Sequence, residues 1–241
     1  MTDRAEMLRD REAFRRWNEE MACKYDPDAY HRHPNPAVRL VERMRVRRLL
    51  QLLDVRAGQR VLEVGCGAGN ILEQIAGAQL FGVDLSHALL GKARARLGDR
   101  AALHEGFAES LPFGDGTFDR VYCSEVLEHV VAPRAVVREM RRVLRPTGRA
   151  VISFPNEGLI DRVKDVMRRV GLWRRFSGGK GAYQASERMT DEWHLHALTC
   201  EGVAASVRDL FTVETTVHVP GALFPLRHVM ALVPRESGQL R

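Results

Sequence analysis

Apolar positions along this chain keep two rhythms, a helical spacing and a short continuous run, and the two take turns. Residues 4–22 are polar and helix-prone, with Phe14, Trp17 and Met21 spaced to share one side. Three prolines between Lys24 and Pro36 then break the periodicity, which predicts a loop. From Ala37 to Leu53 the residues Val38, Val41, Val46, Leu49, Leu50 and Leu53 return at helical spacing. The arginines among them, Arg39, Arg43, Arg45, Arg47 and Arg48, read as a solvated basic face. Short runs at Val61–Val64, Leu80–Asp84, Ala101–His104, Arg120–Cys123 and Arg149–Phe154 predict strands. Between them Ile71, Leu72 and Ile75 pattern a short helix, and Ser86 caps another to about Leu97. A third helix runs from Pro133, a residue suited to a first helical position, to Leu144. Leu159, Ile160, Val163, Val166, Met167 and Val170 then form one amphipathic stripe. A helix from Thr199 to about Leu210 and strands at Thr212–Val217 and Val229–Val233 complete the series. Alternating strands and helices predict an α/β, doubly wound parallel sheet with its site at the strands' C-terminal ends.

Composition narrows this picture. A chain of 241 residues buries one sizeable core, so one domain with additions is expected. A hydrophobic content of 45% with 28% charged residues is that of a globular protein, not a disordered one. No apolar run reaches the length of a membrane span. The first twenty residues are dense in Arg and Glu, unlike a signal peptide. Cys23, Cys66, Cys123 and Cys200 lack metal-ligand or disulfide-framework spacing, so reduced thiols in a cytoplasmic protein are expected. The net charge of +6 comes from abundant arginine, which a G+C-rich gene produces as readily as a nucleic-acid partner.

Candidate chemistry centres on Val61-Leu62-Glu63-Val64-Gly65-Cys66-Gly67-Ala68-Gly69-Asn70. A strand feeds a glycine turn, with a helix predicted from about Asn70. Backbone N–H groups at such a turn suit a carboxylate or phosphate. A dinucleotide-binding turn is similar, but wants a glycine where Asn70 stands. Asp84 ends the second strand, where an acid can accept both hydroxyls of a ribose.

Five runs stand in one family's order: Val61–Gly69, Gly82–Ser86, Ala108–Asp119, Ser124–Val130 and Met140–Arg149. On them the chain resembles the class I S-adenosylmethionine-dependent methyltransferases, in the group that methylates mostly small molecules. The resemblance implies a Rossmann-like, doubly wound, mostly parallel seven-stranded sheet with an antiparallel last strand. It divides the chain into an N-terminal helical cap (1–53), a cofactor-binding core (54–156), a helical lid insertion (157–192) and a closing helix and hairpin (193–241). The implied cofactor is S-adenosyl-L-methionine, with S-adenosyl-L-homocysteine as product. Glu63 would lie near its methionine end, and Gly65 and Gly67 would let the backbone approach it. Asp84 would hold the ribose hydroxyls, Leu85 would flank the adenine, and the Ala108 backbone would meet the adenine edge. Ser124 would sit near the transferred methyl. The chain departs from the pattern at Gly106-Phe107-Ala108, where the family often has an acid in the middle.

Methyl transfer from a sulfonium needs an aligned nucleophile and, for some acceptors, a base. His129, His194 and His196 are the candidate bases, because imidazole titrates near neutrality. Glu125, Glu128 and His129 have helical spacing and resemble the divalent-metal run of ubiquinone-pathway O-methyltransferases. Small-RNA 2′-O-methyltransferases use a similar run with a later histidine, a place His194 or His196 could fill. Leu-Glu-His-Val also occurs in metal-free members, and the metal-free reading is preferred. Residues 157–192, with Trp173, Phe176 and a Gly178–Gly181 joint, are expected to form a substrate lid. In the cap, Tyr25, Tyr30, His31 or His33 could reach the same site. The expected activity is methylation of a small-molecule acceptor, first at oxygen, with nitrogen and carbon open. An RNA 2′-O-methyltransferase is the alternative, disfavoured by the lack of an appended RNA-binding module. A non-catalytic cofactor-binding subunit is the reading from another class.

Overall fold

The computed structural model describes residues 8–171 and 193–235, apart from the side chains of residues 29 and 30. Every short apolar run becomes a strand of one sheet. The five parallel strands are β1 (Arg60–Val64), β2 (Gln79–Asp84), β3 (Ala101–Glu105), β4 (Phe118–Ser124) and β5 (Leu144–Pro155). A closing hairpin adds β6 (Phe211–Gly221) and β7 (Phe224–Pro234). The spatial order is β3-β2-β1-β4-β5-β7-β6, with β7 antiparallel to both neighbours. Val64, Val83 and Cys123 come level at the C-terminal ends of β1, β2 and β4.

Successive residues of a strand point to opposite faces, and each face has its own core. On one face Val61, Tyr122, Val151 and Val229 pack with Leu49 and Leu53 of α3 (Pro36–Leu53) and Leu90 of α4 (His87–Leu97). On the other, Leu62, Val121, Ile152 and Met230 pack with Val136 and Met140 of α5 (Pro133–Val143). Val203 and Val207 of α7 (Cys200–Val207) complete that second core. Two covered faces explain why the central strands read as continuous apolar runs rather than alternating ones.

The N-terminal segment lies against α4 through polar contacts. Here α1 (Arg11–Tyr25) supplies Glu19, whose Oε1 accepts from the Ala88 N–H at 2.9 Å in α4's first turn. Arg15 pairs with Glu105 at 2.7 Å, and Lys92 with Asp26 at 2.7 Å. The predicted loop contains a short helix, α2 (Pro27–His31), because Asp26 turns left-handed at φ 36° and Pro27 restarts the helix. Asp28 of α2 is buried between Arg96, at 2.7 Å, and Arg32, at 2.6 Å.

Two other boundaries differ from the sequence pattern. The stretch after the glycine turn is a single 3-10 turn, Leu72–Gln74, ended within a few residues by Gly77 at φ 73°. Strand β5 starts at Leu144 rather than Arg149, because Leu144 pairs with Phe118 while Pro146 and Gly148 hide the strand pattern. The predicted lid begins with α6 (Glu157–Arg169), capped by the Asn156 side chain, which accepts from the Leu159 N–H at 3.2 Å. Among the described residues its apolar stripe is incompletely covered, and Val166 and Val170 are exposed. Trp173, Phe176 and Gly178–Gly181 lie outside the described residues. No described helix is long and apolar enough to cross a membrane.

Leu49 has no exposed surface and joins α3 to the sheet. Leu49→Ala should cost about 2–5 kcal/mol, read as a lower urea midpoint with an unchanged slope. An unchanged midpoint would mean that α3 does not belong to the folded core.

Candidate active site

The turn after β1 forms the base of a cavity of about 260 Å³ at the C-terminal edge of the sheet. Gly65 has φ 73°, and its N–H donates to the Val83 carbonyl at 2.8 Å. A Cβ there would lie 2.3 Å from Val126 Cγ2, so both conformation and space require glycine. Gly67 has φ 49°, and a Cβ on it would meet open space. Its N–H donates to Asp84 Oδ2 at 2.7 Å, while Asp84 Oδ1 accepts from the Ser86 N–H at 2.9 Å. Burial raises the Asp84 carboxyl above the usual carboxylate range, against the pull of these two N–H groups. Leu85, Ala108 and Ser124 line the same cavity, as do Glu63, Gly65, Gly67 and Asp84.

Glu63 is almost fully buried, and its Oε2 has no hydrogen-bond partner. Burial pushes its pKa up to about 8, against a smaller opposing effect of the Tyr122 hydroxyl. An orphaned carboxyl oxygen in a cavity wall fits a ligand that brings an amino or other cationic group.

Arg45 and Glu42 correct the basic-face reading. Both are buried in α3 and line the cavity. Arg45 Nε donates to Glu42 Oε2 at 2.9 Å, and Nη1 donates to Ser153 Oγ at 3.0 Å and to Ser124 Oγ. Burial alone would raise the Glu42 pKa, but the Arg45 guanidinium holds it below the ordinary value. The signal was present in the sequence: Glu42, Arg45, Leu49 and Leu53 fall on one helical stripe. The other four arginines of that reading are outside the buried set.

The acid-and-histidine run does not form the single helical face its spacing predicts. Residues 125–129 form a turn rather than a helix, opened by Glu125 at φ 55°. Their donor atoms do not lie within 4.8 Å of one another. Glu125 pairs with Arg227 at 2.8 Å and accepts from Ser153 Oγ at 3.2 Å. Glu128 is buried, and burial together with the Glu125 charge raises its pKa well above normal.

His129 and His194 meet in the cavity wall with ring centroids 4.6 Å apart. The His129 Nδ1–H donates to the Trp193 carbonyl at 3.2 Å. Burial, and then His194, push its pKa down to about 3, so it stays neutral. The His194 Nδ1–H donates to Oε1 of Glu157 at 2.8 Å, and Glu157 is buried at the start of α6. Glu157 was not among the sequence candidates, since nothing local links it to a histidine 37 residues away. His196 is not part of the wall, and its Nε2–H donates to the Val130 carbonyl at 2.9 Å. From the cap, Tyr25 stacks on Trp193 at 5.7 Å, and His31 pairs with Glu42 at 3.2 Å. His33 is outside the wall and accepts from the Asn35 N–H, while the Tyr30 side chain lies outside the described set.

Comparison with known proteins matches residues 62–152 to the family described as "Methyltransferase domain". The chain is 39% identical to the methyltransferase GfsG of Streptomyces halstedii over 138 residues, covering 54% of this chain and 49% of that one. It is 41% identical to a ubiquinone biosynthesis O-methyltransferase of Aromatoleum aromaticum over 106 residues, 42% of this chain and 45% of that one. The chain thus spans about half the length of these curated relatives. The N-methyltransferase NodS of Bradyrhizobium japonicum, solved with S-adenosyl-L-homocysteine, shares the fold at TM-score 0.65 and 20% identity, covering 92% of this chain and 99% of that one.

Glu63 gives the site a measurable pH dependence. Folding raises its pKa from 4.5 to about 8, so its contribution to stability is complete below pH 4.5 and is lost as pH rises through 8. The loss should be on the order of a few kcal/mol. Glu63→Gln, neutral throughout, should flatten that decline in urea midpoints measured across the range. Parallel declines for both proteins would mean that Glu63 is ionised in the folded chain.

Proposed function

The chain carries a class I S-adenosylmethionine-dependent methyltransferase domain, and on that premise we propose that it methylates a small-molecule acceptor at a hydroxyl oxygen. The observation that carries the reading is His194, in the wall of the cavity that Glu63 and Asp84 also line, held from behind by the buried Glu157 at 2.8 Å.

The residues present fit the cofactor. The unpartnered Glu63 carboxyl suits its amino group, and the open space before Gly67 lets the backbone come close. Asp84, held by two N–H groups, keeps lone pairs for the ribose hydroxyls, with Leu85 and Ala108 as adenine neighbours. When bound, S-adenosyl-L-methionine supplies an already activated sulfonium methyl. The chain's own residues then position the acceptor and remove its proton.

Glu157 holds His194 through Nδ1, which orients the ring so that Nε2 is the atom that takes the acceptor's hydroxyl proton. The buried carboxylate also stabilises the imidazolium that forms. His129 is a poor base because its pKa lies near 3, so its role is that of a neutral wall residue beside His194. Arg45 steadies the end of β4 through Ser124 and β5 through Ser153. Trp193 and Tyr25 add aromatic surface that suits the apolar body of an acceptor. Oxygen is preferred because relatives near 40% identity are named O-methyltransferases.

Two measurements test this. Asp84→Ala should weaken cofactor binding by about 1.5–3 kcal/mol in calorimetry. With a panel of hydroxylated aromatic acceptors and labelled cofactor, His194→Gln should lower kcat by about 10²–10⁴ while cofactor affinity is kept. Glu157→Gln should cost less than His194→Gln. Full turnover by His194→Gln would remove it as the base, and a product methylated at nitrogen or carbon would overturn the choice of oxygen.

A further inference from the structure

Away from the cavity, three metal-ligating side chains from three elements converge. Cys200 opens α7, His218 lies on β6 and His228 on β7, and their Sγ and ring nitrogens lie within 4.8 Å of one another. His218 and His228 are a register pair of the hairpin, with Nδ1 atoms 2.8 Å apart. His228 is buried, with its ring 5.3 Å from Phe154 in the core that α7 covers. Its neighbour Arg227 pairs with Glu125 in the cavity, so the two sites lie on different sides of β7.

We propose that Cys200, His218 and His228 form a binding site for one Zn(II) ion. One thiolate and two imidazoles are a donor set for zinc or a similar borderline metal, and they offer no oxygen for magnesium or calcium. Tetrahedral zinc with bonds of about 2.0–2.3 Å needs donors roughly 3.3–3.6 Å apart. The two Nδ1 atoms, 2.8 Å apart, therefore separate by about half an ångström. On binding, zinc takes the place between the two Nδ1 atoms, the proton that now lies there moves through solvent to Nε2 of its own ring so that both imidazoles stay neutral, and the Cys200 thiol releases its proton to solvent. Burial, the neighbouring His218 and Arg227 push the His228 pKa down to about 4, so that ring is neutral at physiological pH. Three protein ligands leave the fourth position to water. The ion would tie the start of α7 to the hairpin, and so anchor one end of residues 193–199, the segment that bears His194.

The test uses the full chain, incubated with excess zinc, dialysed against zinc-free buffer and analysed for bound metal. Wild type should retain one zinc per chain and melt at a higher temperature than the metal-free protein. Cobalt(II) in its place should give a thiolate-to-metal charge-transfer band. Cys200→Ser and His218→Gln should each lose retained zinc and the cobalt band, while Cys23→Ser and Glu128→Gln keep both. Circular dichroism reports whether each variant folds, and if Cys200→Ser does not, the half-buried His218→Gln decides. The proposal fails if wild type retains no zinc. It fails equally if His218→Gln retains zinc and the cobalt band, or if Glu128→Gln is the variant that loses them.

Discussion

The contact between Gly65 and Val126 sets the shape of the whole C-terminal edge of the sheet. A side chain on Gly65 would collide with Val126, so its absence lets the turn after β1 and the turn after β4 close against each other. The first of these turns presents Glu63 and the Gly67 N–H, and the second brings Ser124 through His129. The same N–H holds Asp84 at the tip of β2. One close approach therefore assembles three strand ends into a single cavity.

Buried charge does the rest. Arg45 and Glu42 leave water together in α3, a cost that the paired geometry and two serine hydroxyls offset. Removing one partner of such a pair would leave an uncompensated charge, typically worth about 3–5 kcal/mol, so α3 is held in register with the ends of β4 and β5. Burial raises the Glu63 pKa to about 8 and the Glu128 pKa well above the usual range, and the charges of Arg45 and Arg227 offset that desolvation only in part.

The hairpin separates two chemistries by the alternation of a strand. Arg227 turns to Glu125 and the cavity, while His228 turns to Phe154, His218 and Cys200. Residues 193–199 run between the two regions, from the wall histidine to the start of α7. Order at one end thereby bears on the position of His194 at the other.

Read alone, the sequence determined the sheet, its parallel order of elements and the glycine-turn side of the cavity. Those features rest on local patterns: apolar strand runs, a glycine turn and an acid at a strand tip sit next to the residues they act with. All seven predicted cofactor residues line one cavity for that reason. The helical spacing of Glu125, Glu128 and His129 misled, because a left-handed residue at position 125 makes that run a turn. Only tertiary structure decided the rest. His194 meets Glu157 across 37 residues, Arg45 reaches Ser153 across 108, and Cys200 joins two histidines of a hairpin. No periodicity or spacing encodes such partners, since packing of separate elements, not chain neighbourhood, brings their side chains together.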